Sequence, residues 1–188
     1  MAMLVLGLVL FLGIHLLPTV PSLKARLVGN WGENRYKALF SIVAVLGLLL
    51  IIVGYGRAPG GGRVFDSSPL AIMVAPFVMA VSFVLFAAAN MKTHIRAWLR
   101  HPMLLGLGIW ALVHLLANGH CKATLLFGAF LAFAVLDLIS AVLRNSSKSF
   151  TPSFKQDLIA IVSGVLLALL VMTFHRQLMG VQVVSWGM

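Results

Sequence analysis

Among the reactive side chains of this 188-residue chain, six histidines and four carboxylates carry the chemistry, since serine-nucleophile patterns, paired carboxylates and zinc-protease spacing are absent. His15, His101, His114 and Asp137 lie within or at the ends of long apolar runs. Polar groups in such runs are rare in membrane proteins and usually face the interior of a bundle, which makes these four the first candidate site residues. His101 and His114 bracket one stretch, Arg100 to His120, with Pro102 suited to a first helical turn and Asn118-Gly119 to a stop. The 13 steps between the two histidines span about 20 Å of helix, with bearings roughly 140° apart. One imidazole therefore belongs near each surface of a membrane.

The composition supports that setting. The chain is 61% hydrophobic and only 10% charged, with a mean hydropathy of +1.06, whereas a soluble domain is about a quarter charged. Its net charge of +10 arises from 14 Lys and Arg against Glu33, Asp66, Asp137 and Asp157. These cations sit almost entirely in short connections between apolar runs, so topology and anionic headgroups explain them better than nucleic acid does, and no nucleic-acid partner is expected. A lone Cys121 excludes an intramolecular disulfide and CxxC chemistry.

The apolar runs predict an all-α integral membrane bundle of six helices, forming a single domain over residues 1–188. The spans read as Met3 to Leu17, Ala38 to Gly54, Leu70 to Asn90, a short fourth from His101, Ala123 to Leu143, and Leu158 to Phe174. The first run is read as a span rather than a cleaved signal, because no cation precedes it, no small-x-small site follows, and Lys24 and Arg26 come after it. Ser22 to Lys37 mixes cations with Trp31 and Tyr36, as a segment lying along the headgroup layer does. Gly60-Gly61-Gly62 predicts a flexible loop without the context of a phosphate cradle. Pro76 predicts a kink, and Gly128 with Ala132 and Gly164 with Ala168 predict close helix approach.

Charge counting orients the bundle. Lys24, Arg26, Arg35, Lys37, Lys92, Arg96, Arg100, Arg144, Lys148 and Lys155 fall on one side, against Arg57, Arg63, Lys122 and Arg176 on the other. Ten against four places both termini outside. His15 and His101 then share the cytoplasmic level, while His114, His120 and His175 share the outer level and His94 lies in an inner, solvated connector. Two imidazoles at one depth can flank an iron, which makes His15 and His101 the proposed axial pair. Asp137 falls in the same half, either orienting an imidazole N–H or pairing with Arg100 or Arg144. The outer trio His114, His120 and His175, with Cys121, is a second candidate for a transition metal.

Gly13-Ile14-His15, the Trp31 to Lys37 region, and above all His101-Pro102 with Gly106, Trp110, His114, Leu115, Asn118 and Gly119 resemble the NnrU family of bacterial membrane proteins. The resemblance covers nearly the whole chain and implies the bacterial inner membrane. Its relatives include the plastid zeta-carotene isomerase, in which haem b is held within the membrane. The residues here that match its proposed ligands are His15 and His101, and the resemblance implies haem b as cofactor, with a second haem conceivable at the outer histidines. Arg96, Arg100 and Arg144 are suited to its propionates. The family often has an acid after Asn-Gly, where this chain has His120.

The resemblance implies a haem-binding protein linked to denitrification, acting in nitrogen-oxide metabolism or as a redox-dependent cis-trans isomerase of an apolar polyene, with membrane lipid, a lipophilic substrate and a redox or reductase partner. The alternative is a non-enzymatic assembly or regulatory factor for nitrite and nitric oxide reductases. Third stands a membrane methyltransferase, because Arg100 to Gly106 resembles the Arg-His-Pro-x-x-x-Gly segment of such enzymes, although nothing acidic follows Asp157. Reporter fusions after Arg57 and after Lys148 are expected to report outside and cytoplasm respectively. A cytoplasmic signal after Arg57 would reverse every depth assigned here.

Overall fold

In the computed structural model, which describes residues 1–146 and 149–180, Lys148 and residues 181–188 lie outside the described residues. The order is α1 (Ala2–Leu16), a 3-10 turn (Leu17–Thr19), α2 (Pro21–Trp31), α3 (Glu33–Arg57), α4 (Pro69–Ala89), α5 (His94–Leu99), α6 (Pro102–Ala117), α7 (Cys121–Leu143) and α8 (Phe154–Met179). Among the described residues five helices are long and apolar enough to cross a membrane, the first of them when α1 and its 3-10 turn are taken together as Ala2–Thr19. The sixth expected span, α6, has 16 residues, or about 24 Å of helix, against a hydrocarbon core of about 30 Å. Its brevity has a local cause. Pro102 disfavours helix at His101, and the chain leaves helical geometry again at Asn118.

Large apolar side chains cover the outside. Phe77 is 77% exposed and Leu70 64%, an arrangement that hydrocarbon tolerates and water does not. The Ser22 to Lys37 segment divides between α2 and the first turn of α3. Pro76 is accommodated inside a continuous α4.

Helix α1 packs on α3, α4 packs on both α6 and α8, and α7 joins the two groups by packing on α6 and, less extensively, on α1. Leu4, Leu8 and Ile51 centre one core, and Met79, Val113, Ala168 and Met172 the other. The α1–α3 contact depends on glycine. A Cβ at Gly7 would stand 2.6 Å from the Ile51 nitrogen, one at Gly47 2.7 Å from the Phe11 nitrogen, and one at Gly54 2.6 Å from the Leu4 nitrogen. Backbone meets backbone at all three. Gly164 does the same for α8 against α4, with Val84 Cα at 2.5 Å from its would-be Cβ. Gly128, by contrast, has nothing within 4 Å, so the close approach expected there is absent and Gly7, Gly47 and Gly54 supply it elsewhere. A buried polar bond adds to the α4–α6 contact, where Ser82 Oγ donates to the Gly106 carbonyl at 2.8 Å.

The two ends are tied differently. At one end, the Gly60-Gly61-Gly62 loop is docked rather than free: Val64 N donates to Gly119 O at 2.8 Å, Ser68 N to Leu116 O at 2.9 Å and Cys121 N to Gly62 O at 3.1 Å. Gly119 is required there, since a Cβ would fall 1.8 Å from Phe65 O. At the other end, called here the α5 end, side chains and one backbone bond make the ties. Lys92 N bonds the Gln156 side chain, Ser153 N donates to Lys92 O at 2.9 Å, and Arg144 Nη1 donates to Pro18 O at 2.9 Å.

Gly54→Ala is expected to lower the stability of the purified protein by about 1–3 kcal/mol, the cost of forcing a methyl group into a filled contact. Gly128→Ala should be neutral within about 0.5 kcal/mol or stabilising through helix propensity. Thermal melts in detergent check both, and equal effects would remove glycine-mediated packing as the basis of the α1–α3 contact.

Candidate functional site

The histidines expected to act together are distributed over four places. His15 ends α1 with Nδ1 2.6 Å from Phe11 O. Its ring lies 4.3 Å from that of Phe11, 5.2 Å from Phe40 and 6.3 Å from Phe133. His101 precedes α6 and lines a cleft with Arg96, Arg100 and Ser149 at the α5 end. Helices α1 and α6 are not packed face to face, as each meets α7, and among the described residues no ring contact links His15 to His101. Equal depth does not make them neighbours.

His114 and His175 are neighbours. Their rings, from α6 and α8, have centres 6.4 Å apart and planes inclined by only 24°. Both helices pack on α4, and that shared support brings their histidines to one place. His114 Nδ1 lies 2.8 Å from Trp110 O. A carbonyl can only accept, so Nδ1 carries the proton and, in the neutral ring, Nε2 holds the lone pair. Phe127 stacks near His114 at 4.8 Å and Trp110 lies at 5.2 Å, giving an aromatic wall to one side of the pair.

That geometry can be compared with metal ligation. Two imidazoles on opposite sides of one ion have ring centres roughly 6 Å apart, from two metal–nitrogen bonds of about 2.0 Å and the distance of about 1.1 Å from each nitrogen to its ring centre. The separation of 6.4 Å is close to that span, and because the rings form a stacked pair, holding one ion between them would require each imidazole to turn edge-on to it. No group of three or more His, Cys, Asp or Glu side chains converges among the described residues. The outer trio therefore reduces to a pair. His120 instead stands just before α7, in a bridge with Arg63, and Cys121 lies against Gly61.

Asp137 is 3.6 Å from Arg144 Nη2, which decides between its two expected cationic partners in favour of Arg144. Seven residues apart on one helix, the two lie on nearly the same face, a signal present in the spacing. Arg144 also holds Pro18 O, so this pair fastens α7 to the end of α1. Arg100 remains at the cleft.

His94 is not simply solvated. Its backbone N donates to Asp157 Oδ1 at 2.8 Å, its Nδ1 lies 2.5 Å from Asp157 Oδ2, and its ring stacks on Phe154 at 4.3 Å. The pair fastens the short α5 to the start of α8. No pattern in the sequence announces it, since the partners are 63 residues apart.

No curated protein and no solved structure matches the chain. A family model described as NnrU protein matches residues 3–183. With nearly all of its length covered by that match, the chain belongs to the NnrU family.

Proposed function

We propose that this protein is a haem-binding membrane protein acting in nitrogen-oxide metabolism, with His114 and His175 as the axial ligands. The observation that carries the reading is the pair of near-parallel imidazoles 6.4 Å apart, drawn from two helices against one aromatic wall. The link to nitrogen oxides rests on the family name alone. The bundle is taken to cross the inner membrane six times, with α6 as the short crossing and both termini outside, in line with the asymmetry of its cations.

We assign the iron to His114 and His175 rather than to His15 and His101 because the former rings are adjacent, whereas the latter sit in separate surroundings. Bound haem would supply one-electron transfer, and a small nitrogen oxide would reach its iron only by displacing one of the two imidazoles. The chain's own residues do the rest. Trp110 O holds the His114 Nδ1 proton and so sets which nitrogen ligates. Phe127 and Trp110 exclude water from one side of the pair, and Val113 and Met172 pack in the core beneath them.

The visible absorption spectrum of the purified protein tests this. The expected spectrum is that of low-spin, six-coordinate haem, and His114→Ala or His175→Ala should lower haem content roughly tenfold or leave a five-coordinate form. His120→Ala, at an exposed position, should leave the spectrum unchanged. Intact low-spin haem after replacement of both His114 and His175 would overturn the assignment and return it to His15 and His101. A protein without pigment, whose deletion lowers nitrite and nitric oxide reductase activity, would instead be an assembly factor.

A further inference from the structure

Two openings in the surface share Leu104. One is the cleft at the α5 end, about 550 Å³, lined by Arg96, Arg100, His101 and Ser149 and by no acidic residue among those described. The other is a groove of about 220 Å³ between α6 and α7, running from Leu104 to Leu112 on one helix and from Leu138 to Leu131 on the other. Every residue lining the groove is apolar or glycine. A cationic cleft and an apolar groove thus border the same residue, Leu104.

The cleft has three sources of positive charge or hydrogen-bond donors. Arg96 is held by Phe150, whose ring centre lies 5.1 Å from its guanidinium carbon, and by a long contact of 3.4 Å to Met91 O. Most of its N–H groups remain uncommitted. Arg100 has φ 60, a backbone region that residues with a Cβ rarely adopt, at the junction where Pro102 prevents α5 from continuing into α6. The first turn of α6 is the third source. It has no side-chain cap, and its residues Met103 and Leu104 line the cleft, so unsatisfied amides and the positive end of the helix dipole lie at the same place.

Arginines that merely face the headgroup layer need no apolar groove beginning at the same residue. The eight steps from Leu104 to Leu112 cover about 12 Å, most of the depth of one leaflet's hydrocarbon at about 15 Å. Leu112 and Val135 on the groove are 45% and 48% exposed, so it opens toward lipid. An amphiphile with an anionic head and an apolar chain matches both halves. We propose that the cleft and groove together bind one anionic phospholipid, its phosphate against Arg96, Arg100 and the first turn of α6, and one acyl chain between α6 and α7. This site is separate from the paired histidines and stands whether or not they hold iron.

Native mass spectrometry of the full-length, delipidated protein, with phosphatidylglycerol and phosphatidylcholine of identical chains, tests the assignment. Phosphatidylglycerol is expected to bind roughly tenfold more tightly, and Arg96→Gln with Arg100→Gln should erase that preference. Val135→Trp, a change on the lipid-facing side of the groove, should weaken binding of both lipids. Millimolar inorganic phosphate should not displace the bound lipid, since it has no chain for the groove. Equal affinity for the two lipids, wild-type binding by the double arginine variant or by Val135→Trp, or displacement by phosphate alone would each overturn the proposal. Circular dichroism melts of each variant serve as the check that binding is lost without loss of fold.

Discussion

An unsatisfied backbone hydrogen bond is costly in hydrocarbon, and this constraint accounts for why the chain is helical nearly throughout. Once each helix has satisfied its own backbone, little hydrophobic drive is left to associate them, since lipid tails are as apolar as leucine. Association must then come from close packing. Gly7, Gly47 and Gly54 let α1 and α3 touch backbone to backbone, and Gly164 does so for α8 on α4. Helix α7 unites the two groups by reaching both α1 and α6. The meeting of His114 with His175 follows from the packing of α6 and α8 on α4.

The ends of the bundle use different chemistry for the same purpose. Backbone groups of the glycine loop bond directly to Leu116, Gly119 and Cys121. The α5 end is fastened by ionisable side chains, His94 to Asp157 and Arg144 to Asp137 and Pro18 O. An ion pair is weakened by salt where an amide–carbonyl bond is not. The α5 end is also where Arg96 and Arg100 line the cleft.

Helix α6 connects the candidate sites. Its start carries His101 and borders the cleft, its side forms half of the apolar groove, and His114 near its end faces His175. Being only 16 residues long, it draws these features into about 24 Å. Ser82, wholly buried on α4, bonds to its Gly106 carbonyl and holds it in place without a long apolar span. Both candidate sites thus draw on a single short helix.

The sequence by itself determined that the chain forms long apolar helices and in what order the polar groups fall along them, because these depend on composition and position along the chain. The apolar runs located the long helices, whereas Asp137 was left open between an imidazole, Arg100 and Arg144 until the structure set it beside Arg144. Gly164 was legible as a point of close approach. Rotation about each helix axis and the choice of neighbours were not legible. In lipid the buried and exposed faces of a helix are both apolar, so hydrophobic periodicity cannot distinguish them. Gly128 therefore looks in sequence like Gly164 but meets nothing, and His94 gives no sign of Asp157. His15 and His101 agree in depth and differ in neighbours, while His114 and His175 meet only because α4 supports both of their helices. Depth is a one-dimensional property that the chain records locally, whereas adjacency is a consequence of packing among segments far apart in sequence.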